Sequence, residues 1–154
     1  MKIDWTKLIS SVIICQAAGI IGGLVTAPNI GNWYASLIRP ELSPPNWIFA
    51  PVWTFLYLTM GISLYLIWSK RKFHKKALSI FAVQLFFNFT WSLVFFGLHQ
   101  ISLALINLII LIAFIIITII DFYKIDKNAG LILIPYLLWC LFATYLNYSL
   151  MILN

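Results

Sequence analysis

Charged side chains are scarce in this chain of 154 residues. Asp, Glu, Lys and Arg make up 9% of it, and only four residues are acidic. A soluble domain carries roughly 25% charged residues, so this chain lacks the polar surface that a water-soluble protein needs. Hydrophobic residues account for 63% of the sequence. The composition argues against a soluble protein and favours one embedded in a lipid bilayer.

Residues that support catalysis or metal binding are also few. The two cysteines, Cys15 and Cys140, lie far apart inside apolar runs, and the chain contains no CxxC motif. His74 and His99 are the only histidines, and both fall in connections between apolar runs. We therefore expect no metal site, no haem held by an axial histidine and no resident cofactor. We assign no catalytic residues.

Five apolar runs are long enough to cross a bilayer, which takes about 20 residues per helix. None contains Asp, Glu, Lys or Arg in its interior. The first run follows Lys2 and Lys7, as a signal peptide would, but it is too long for one. We predict an all-α membrane protein, a single five-helix transmembrane domain over residues 1–154. The predicted helices are 8–27, 48–68, 77–98, 101–120 and 129–153.

The basic residues fall almost entirely on one side of this topology. Nine share the side of the N-terminus and Arg39 alone lies on the other. The positive-inside rule then places the N-terminus in the cytoplasm, and the 28–47 connection and the C-terminus outside, in a cytoplasmic membrane by default. Topology explains the cluster SKRKFHKK, so we expect no nucleic-acid partner, although the cluster can touch anionic lipid head groups. The nine are Lys2, Lys7, Lys70, Arg71, Lys72, Lys75, Lys76, Lys124 and Lys127.

The 28–47 connection is long, proline-rich and aromatic. Connections of this length are usually functional or disordered, and prolines stiffen the backbone by restricting φ. We predict an ordered lid, with Pro44 and Pro45 before helix 2 and Pro51 in its first turns. A tight hairpin is expected at residues 99–100, and a kink at Pro135.

Polar and aromatic residues recur at helical spacing inside three spans, and polar residues there are informative because lipid offers them no partner. Two interpretations remain open: a bundle core joined by hydrogen bonds between helices, or an aromatic cavity for a flat apolar ligand. Gly19 and Gly23, at GxxxG spacing, likewise suit either internal packing or a dimer face. The three stripes are Trp53, Tyr57 and Met60; Gln84, Asn88, Trp91 and Phe95; and Tyr136, Trp139, Ala143 and Asn147, with Gln16 added from span 1.

Three segments resemble the TspO/MBR family of tryptophan-rich sensory proteins and translocator proteins (peripheral-type benzodiazepine receptors). They are WYASLIRPELSPPNWIFAPVWTFLYLTMG, QLFFNFTWSLVFFG and PYLLWCLFATYLN. The resemblance implies a five-helix protein, often a homodimer, that binds porphyrins such as protoporphyrin IX in a pocket closed by the first connection. It places Tyr34 and Pro44 in the lid. It places Trp53, Asn88, Trp139 and Ala143 in the pocket, with Trp33, Tyr57, Trp91, Phe142 and Leu146 nearby.

Three functions fit this interpretation. The first is a receptor or sensor that binds porphyrin. The second is an enzyme that degrades bound porphyrin under light, which would need no acid–base group. The third is a transporter of tetrapyrroles or lipids, although the chain lacks an inverted repeat and a charged relay inside its spans.

Overall fold

The computed structural model describes residues 3–154, and over these residues it contains helices and no β-strand. Five helical segments are long and apolar enough to cross a membrane, which confirms the predicted fold class. A π-helical turn, Ile30–Tyr34, continues α1, and another, Leu93–Gly97, continues α3; a short 3-10 turn, Asn46–Ile48, leads into α2. The helices are α1 (Trp5–Asn29), α2 (Phe49–Trp68), α3 (Lys75–Ser92), α4 (Ile101–Ile125), α5 (Lys127–Leu131) and α6 (Ile134–Leu153).

The first helix is longer than predicted, and the following connection is correspondingly shorter. Helical structure runs from Trp5 through Pro28 to Tyr34, so residues 28–34 of the predicted loop are helical. The sequence suggested a stop at Pro28 because proline removes a backbone donor. Tertiary packing overrides that local signal, since Trp33 and Tyr34 pack against Phe95 and Phe96 at the end of α3.

The last span is broken rather than kinked. It consists of α5 and α6, separated by a turn at residues 132–133, and Pro135 lies in the first turn of α6. Proline is tolerated there because the first N–H groups of a helix have no partner within the helix. The side chain of Asp126 caps α5 by accepting from the backbone N–H groups of Asn128 and Ala129.

The other predicted turns are confirmed. Pro44 and Pro45 precede α2, and Pro51 lies in its first turn. The hairpin between α3 and α4 turns at His99, whose φ of 57° lies in the left-handed region. Histidine is one of the few residues other than glycine that is enriched in that conformation.

In the bundle, α1 packs against α2 and α3, α3 against α4, α4 against α5 and α6, and α5 against α2. The larger hydrophobic core fills the end near the basic connections, here called the basic end, and includes Ile67, Phe81 and Phe122. A smaller core around Tyr34 and Phe95 fills the opposite end, here called the loop end. Large apolar side chains cover the outside, as expected for a bundle that contacts lipid.

Candidate ligand-binding cavity

A cavity of about 370 Å³ lies in the half of the bundle nearer the loop end. Its walls come from α1, α2, α3, α6 and the turns that flank them. Eight of the ten residues predicted for the ligand site line it. They are Tyr34, Trp53, Tyr57, Asn88, Trp91, Trp139, Ala143 and Leu146.

The structure places the other two predicted residues away from the cavity. Pro44 lies in the connection before α2 and does not line the cavity. Phe142 does not line it either, but its ring packs against that of Trp139 with centroids 5.6 Å apart. Phe142 therefore supports one wall from behind. Ligand binding at any of the ten residues stays a prediction.

Sequence reasoning missed several lining residues. Phe49 and Ala50, in the first turn of α2, line the cavity beside Trp53. Phe49 stands four residues before Trp53, so extending the predicted stripe by one helical turn would have found it. Ile30 also lines the cavity, but it was hidden because the segment was interpreted as loop.

The cavity walls are mainly aromatic. Trp53 lies against Tyr57, with ring centroids 5.6 Å apart, and against Tyr136 at 6.4 Å. Trp139 on α6 meets Phe49 on α2 edge to face, with ring centroids 5.9 Å apart. These distances are typical of favourable aromatic pairs, so the walls hold one another in place.

A chain of hydrogen bonds crosses the bundle behind this aromatic surface. The Tyr57 hydroxyl donates to Asn88 Oδ1, and Asn88 Nδ2 donates to the Tyr136 hydroxyl at 2.9 Å. That hydroxyl in turn donates to Gln84 Oε1 at 2.9 Å. The chain links α2, α3 and α6. Both interpretations left open by the sequence therefore describe real features: a hydrogen-bonded core and an aromatic cavity share Tyr57 and Asn88.

A second polar connection ties α3 and α6 to the start of α4. Trp91 Nε1 donates to Asn147 Oδ1 at 3.1 Å, and Asn147 Nδ2 donates to the carbonyl oxygen of Ile101 at 2.9 Å. The indole ring of Trp91 is thereby fixed, and it stacks on Phe95 with centroids 5.1 Å apart. By contrast, the buried Nε1 of Trp139 has no hydrogen-bond partner among the described residues.

The loop end of the cavity is covered by helical turns rather than by the predicted proline-rich loop. Tyr34 is only 7% exposed and lines the cavity from the π-helical turn, and Asn46 lines it from the 3-10 turn. The guanidinium group of Arg39 lies 5.9 Å from the centre of the Tyr34 ring and donates to Asn46 Oδ1 at 3.2 Å. Arg39 is therefore the cation nearest to this cover.

Two further contacts hold the cover of the cavity in place, that is, the π-helical turn Ile30–Tyr34, the 3-10 turn Asn46–Ile48 and the connection between them. Trp33 stacks on His99 with ring centroids 4.3 Å apart, and His99 Nε2 lies 3.1 Å from Asn29 Oδ1. The side chain of Asn154 accepts from the backbone N–H of Ile38 at 2.9 Å and donates to the carbonyl oxygen of Ile38 at 3.1 Å. The connection is thus attached to both the α3–α4 hairpin and the end of α6.

The described lining of the cavity is uncharged and mainly aromatic. Among residues 3–154, no Asp, Glu, Lys, Arg or His lines it. Across residues 3–154, no group of three or more His, Cys, Asp or Glu residues is placed to hold a metal ion. An uncharged aromatic enclosure with a few polar groups is typical of sites for apolar small molecules.

Comparisons with known proteins agree with this architecture. The TspO/MBR family model matches residues 11–153. The chain is 40% identical over 149 residues to the tryptophan-rich protein TspO of Archaeoglobus fulgidus, covering 96% of this chain and 97% of that protein. It is 33% identical to the tryptophan-rich sensory protein of Cereibacter sphaeroides, covering 100% and 95%. It is 35% identical to the translocator protein of Bos taurus, covering 96% and 90%. The chain is an integral membrane protein that belongs to the TspO/MBR family.

Proposed function

We propose that this protein is a membrane receptor or sensor that binds porphyrins of the protoporphyrin IX type, and similar flat apolar molecules, in the aromatic cavity. The observation that carries the proposal is that three indole rings, those of Trp53, Trp91 and Trp139, line one cavity of about 370 Å³. Sites for small molecules have volumes of about 300–1,000 Å³ and mainly hydrophobic and aromatic walls.

A flat aromatic ligand suits these walls for energetic reasons. Burying its faces against the indole rings stabilises the complex by about 25 cal/mol per Å² of apolar surface removed from water. The carboxylates of a porphyrin must stay close to water or meet a cation, because burying an unpaired charge is costly. Arg39, held beside Tyr34 and Asn46, is the group that would meet a carboxylate at the loop end.

The names of the relatives support a role in sensing or moving a ligand. One relative is named a sensory protein and another a translocator protein. By the positive-inside rule, the basic end faces the cytoplasm and the cavity lies in the outer half of a cytoplasmic membrane. In this orientation the protein would sample ligands in the outer leaflet.

A titration of detergent-purified protein with protoporphyrin IX, followed by tryptophan emission, tests the proposal. We expect saturable quenching at micromolar concentrations or below. The Trp53→Ala and Trp139→Ala variants remove walls of the cavity and should weaken binding by roughly tenfold or more, because each loses most of an aromatic contact surface. Trp5→Ala is the matched control, since Trp5 is exposed and far along α1 from the cavity. Unchanged affinity in both cavity variants would refute the proposed site.

The same three indoles also favour a second candidate function, light-dependent degradation of the bound porphyrin. A porphyrin in this cavity would lie beside indole rings, which can transfer an electron to an excited porphyrin or react with the excited-state oxygen that it forms from dissolved dioxygen. Illumination of the complex should then produce a new absorbance band that grows with time. Product formed at the same rate with free tryptophan in place of the protein would remove the case for an enzyme.

A further inference from the structure

Helices α1 and α2 touch closely towards the basic end and separate towards the loop end. A Cβ atom added at Gly61 would lie 2.7 Å from the Cα atom of Val12, and one added at Gly19 would lie 2.4 Å from the ring of Tyr57. Such distances leave no room for a side chain. One helical turn beyond Gly19, a Cβ atom added at Gly23 would meet no atom within 4 Å. The two helices therefore diverge between Gly19 and Gly23.

The gap that results leads into the cavity. On α1, Gly23 and Ala27 are exposed and also line the cavity, as does Ile20, which is 63% exposed. On α2, Ala50 and Thr54 are likewise both exposed and part of the lining. A residue that contacts the cavity and the outside at once marks an opening.

This opening faces lipid rather than water. Its margins lie within the two membrane-spanning segments Trp5–Tyr34 and Asn46–Trp68. Towards the basic end it is closed by a hydrogen bond from Gln16 Nε2 to the carbonyl oxygen of Thr54, at 3.0 Å. Its side chains are small or apolar, as expected where hydrocarbon is the surrounding solvent.

In contrast to this gap, the route into the cavity through the loop end is closed. Tyr34 covers the cavity and packs against Phe95 and Phe96, with ring centroids 6.3 and 5.8 Å away. The two hydrogen bonds between Asn154 and the backbone of Ile38 hold the connection in place. A ligand arriving from water would have to displace this cover, whereas one in the bilayer would meet an existing opening.

We propose that the ligand enters and leaves the cavity sideways, from the hydrocarbon layer through the gap between α1 and α2. The ligands are then molecules that partition into the membrane before they bind. This inference rests on the proposed function, because it concerns access to the same cavity. Gly23 is the residue that keeps the gap open, since any large side chain there would lie across it.

The test measures the rates at which protoporphyrin IX associates with and dissociates from the protein in lipid nanodiscs, by stopped-flow tryptophan quenching. Gly23→Trp should slow association by about tenfold and should slow dissociation as well, because an obstructed passage raises the barrier in both directions. Damage to the cavity wall, which Gly23 also lines, would instead speed dissociation. Gly31→Trp is the matched control. Gly31 also has open space around it, but it does not line the cavity, so its rates should equal those of the wild type.

A second variant tests the competing route. Asn154→Ala removes both hydrogen bonds to Ile38 and should leave the rates unchanged if the ligand enters sideways. Unaltered rates in Gly23→Trp, a loss of affinity there without slower association, or faster exchange in Asn154→Ala would each overturn sideways entry. Absence of saturable binding by the wild type would instead refute the proposed function, so the two failures are distinguishable.

Discussion

At the scale of single residues, the polar side chains inside the spans were the most informative part of the sequence. Gln84, Asn88 and Asn147 were predicted to face inward because lipid offers no hydrogen-bond partner, and all three are buried. Their partners could not be predicted, since the pairing of Asn88 with Tyr136 depends on how far α3 and α6 are rotated and shifted. Periodicity within one helix carries no information about that.

The first prediction concerns Tyr136, whose hydroxyl joins Asn88 to Gln84. Tyr136→Phe leaves Asn88 Nδ2 and Gln84 Oε1 buried without this partner. Leaving such groups unpaired costs about 1–3 kcal/mol, although hydrogen bonds between membrane helices average nearer 0.6 kcal/mol. We expect the free energy of unfolding in detergent to fall by roughly 1–2 kcal/mol.

Tyr148→Phe is the matched control for this change. It is the same substitution in the same helix, but Tyr148 is 50% exposed. Its effect should stay within about 0.5 kcal/mol, as for most exposed substitutions. Equal stability of the two variants would show that the buried hydrogen-bond chain contributes nothing to the fold.

At the scale of helices, the existence of every spanning segment was predictable, whereas three of the boundaries were not. They are the end of α1, the break before α6 and the end of α4, which runs to Ile125 rather than to residue 120. Long charge-free runs identify a span almost independently of context. The end of α1 and the break before α6 depend on prolines, and the consequence of a proline depends on its surroundings. Pro28 stays within a helix because the following turn packs on α3. Pro135 lies in the first turn of α6, where its missing N–H costs no hydrogen bond within the helix.

The second prediction concerns Asp126, which caps α5 and forms an ion pair with Lys70. The hydrogen bond from Lys70 is the main reason that the pKa of Asp126 lies below its ordinary value of 3.8. Asp126→Ala removes both the helix cap and the ion pair, and it should lower the free energy of unfolding by about 1–2 kcal/mol. Asp126→Asn keeps a capping oxygen and should cost less than about 1 kcal/mol, because partly exposed ion pairs contribute little.

The lowered pKa of Asp126 also sets the direction of a pH effect. The carboxylate's contribution is fully present above about pH 4, the ordinary pKa, and is lost as pH falls through the lower pKa of the folded protein. The stability difference between the wild type and Asp126→Asn should therefore vanish in acid. Thermal unfolding across pH measures this difference, with Asp121→Asn, near the end of α4, as the control. A difference that does not shrink as the pH falls below about 4 would show that the charge is not its cause.

At the scale of the whole molecule, the residues that line the cavity were more predictable than the opening into it. Eight of the ten predicted residues line one cavity because inward-facing stripes on neighbouring helices must converge in a bundle. Pro44 lies in the connection, as predicted, but does not line the cavity, because the path of a loop depends on distant contacts, such as that of Ile38 with Asn154. The gap beside Gly23 was not predicted either, since it arises from the divergence of two helices rather than from any local pattern.

The last prediction concerns the orientation of the protein in its membrane. Eight basic residues of the described chain lie at the basic end, with Arg39 alone at the loop end; the ninth predicted one, Lys2, lies outside the described residues. Such a bias should keep the basic end in the cytoplasm. Cysteines introduced as Ser36→Cys, at the loop end, and Lys72→Cys, at the basic end, report the orientation, because both positions are exposed. The native Cys15 and Cys140 are fully buried and should give little background.

In intact cells, a membrane-impermeant maleimide should label Ser36→Cys and leave Lys72→Cys unlabelled until the membrane is permeabilised. The unsubstituted protein, treated in the same way, gives the background from the native thiols. The opposite pattern would place the cavity in the cytoplasmic leaflet. Labelling of both cysteines in sealed cells would mean that the chain inserts in two orientations, and that the eight basic residues at one end do not fix its topology.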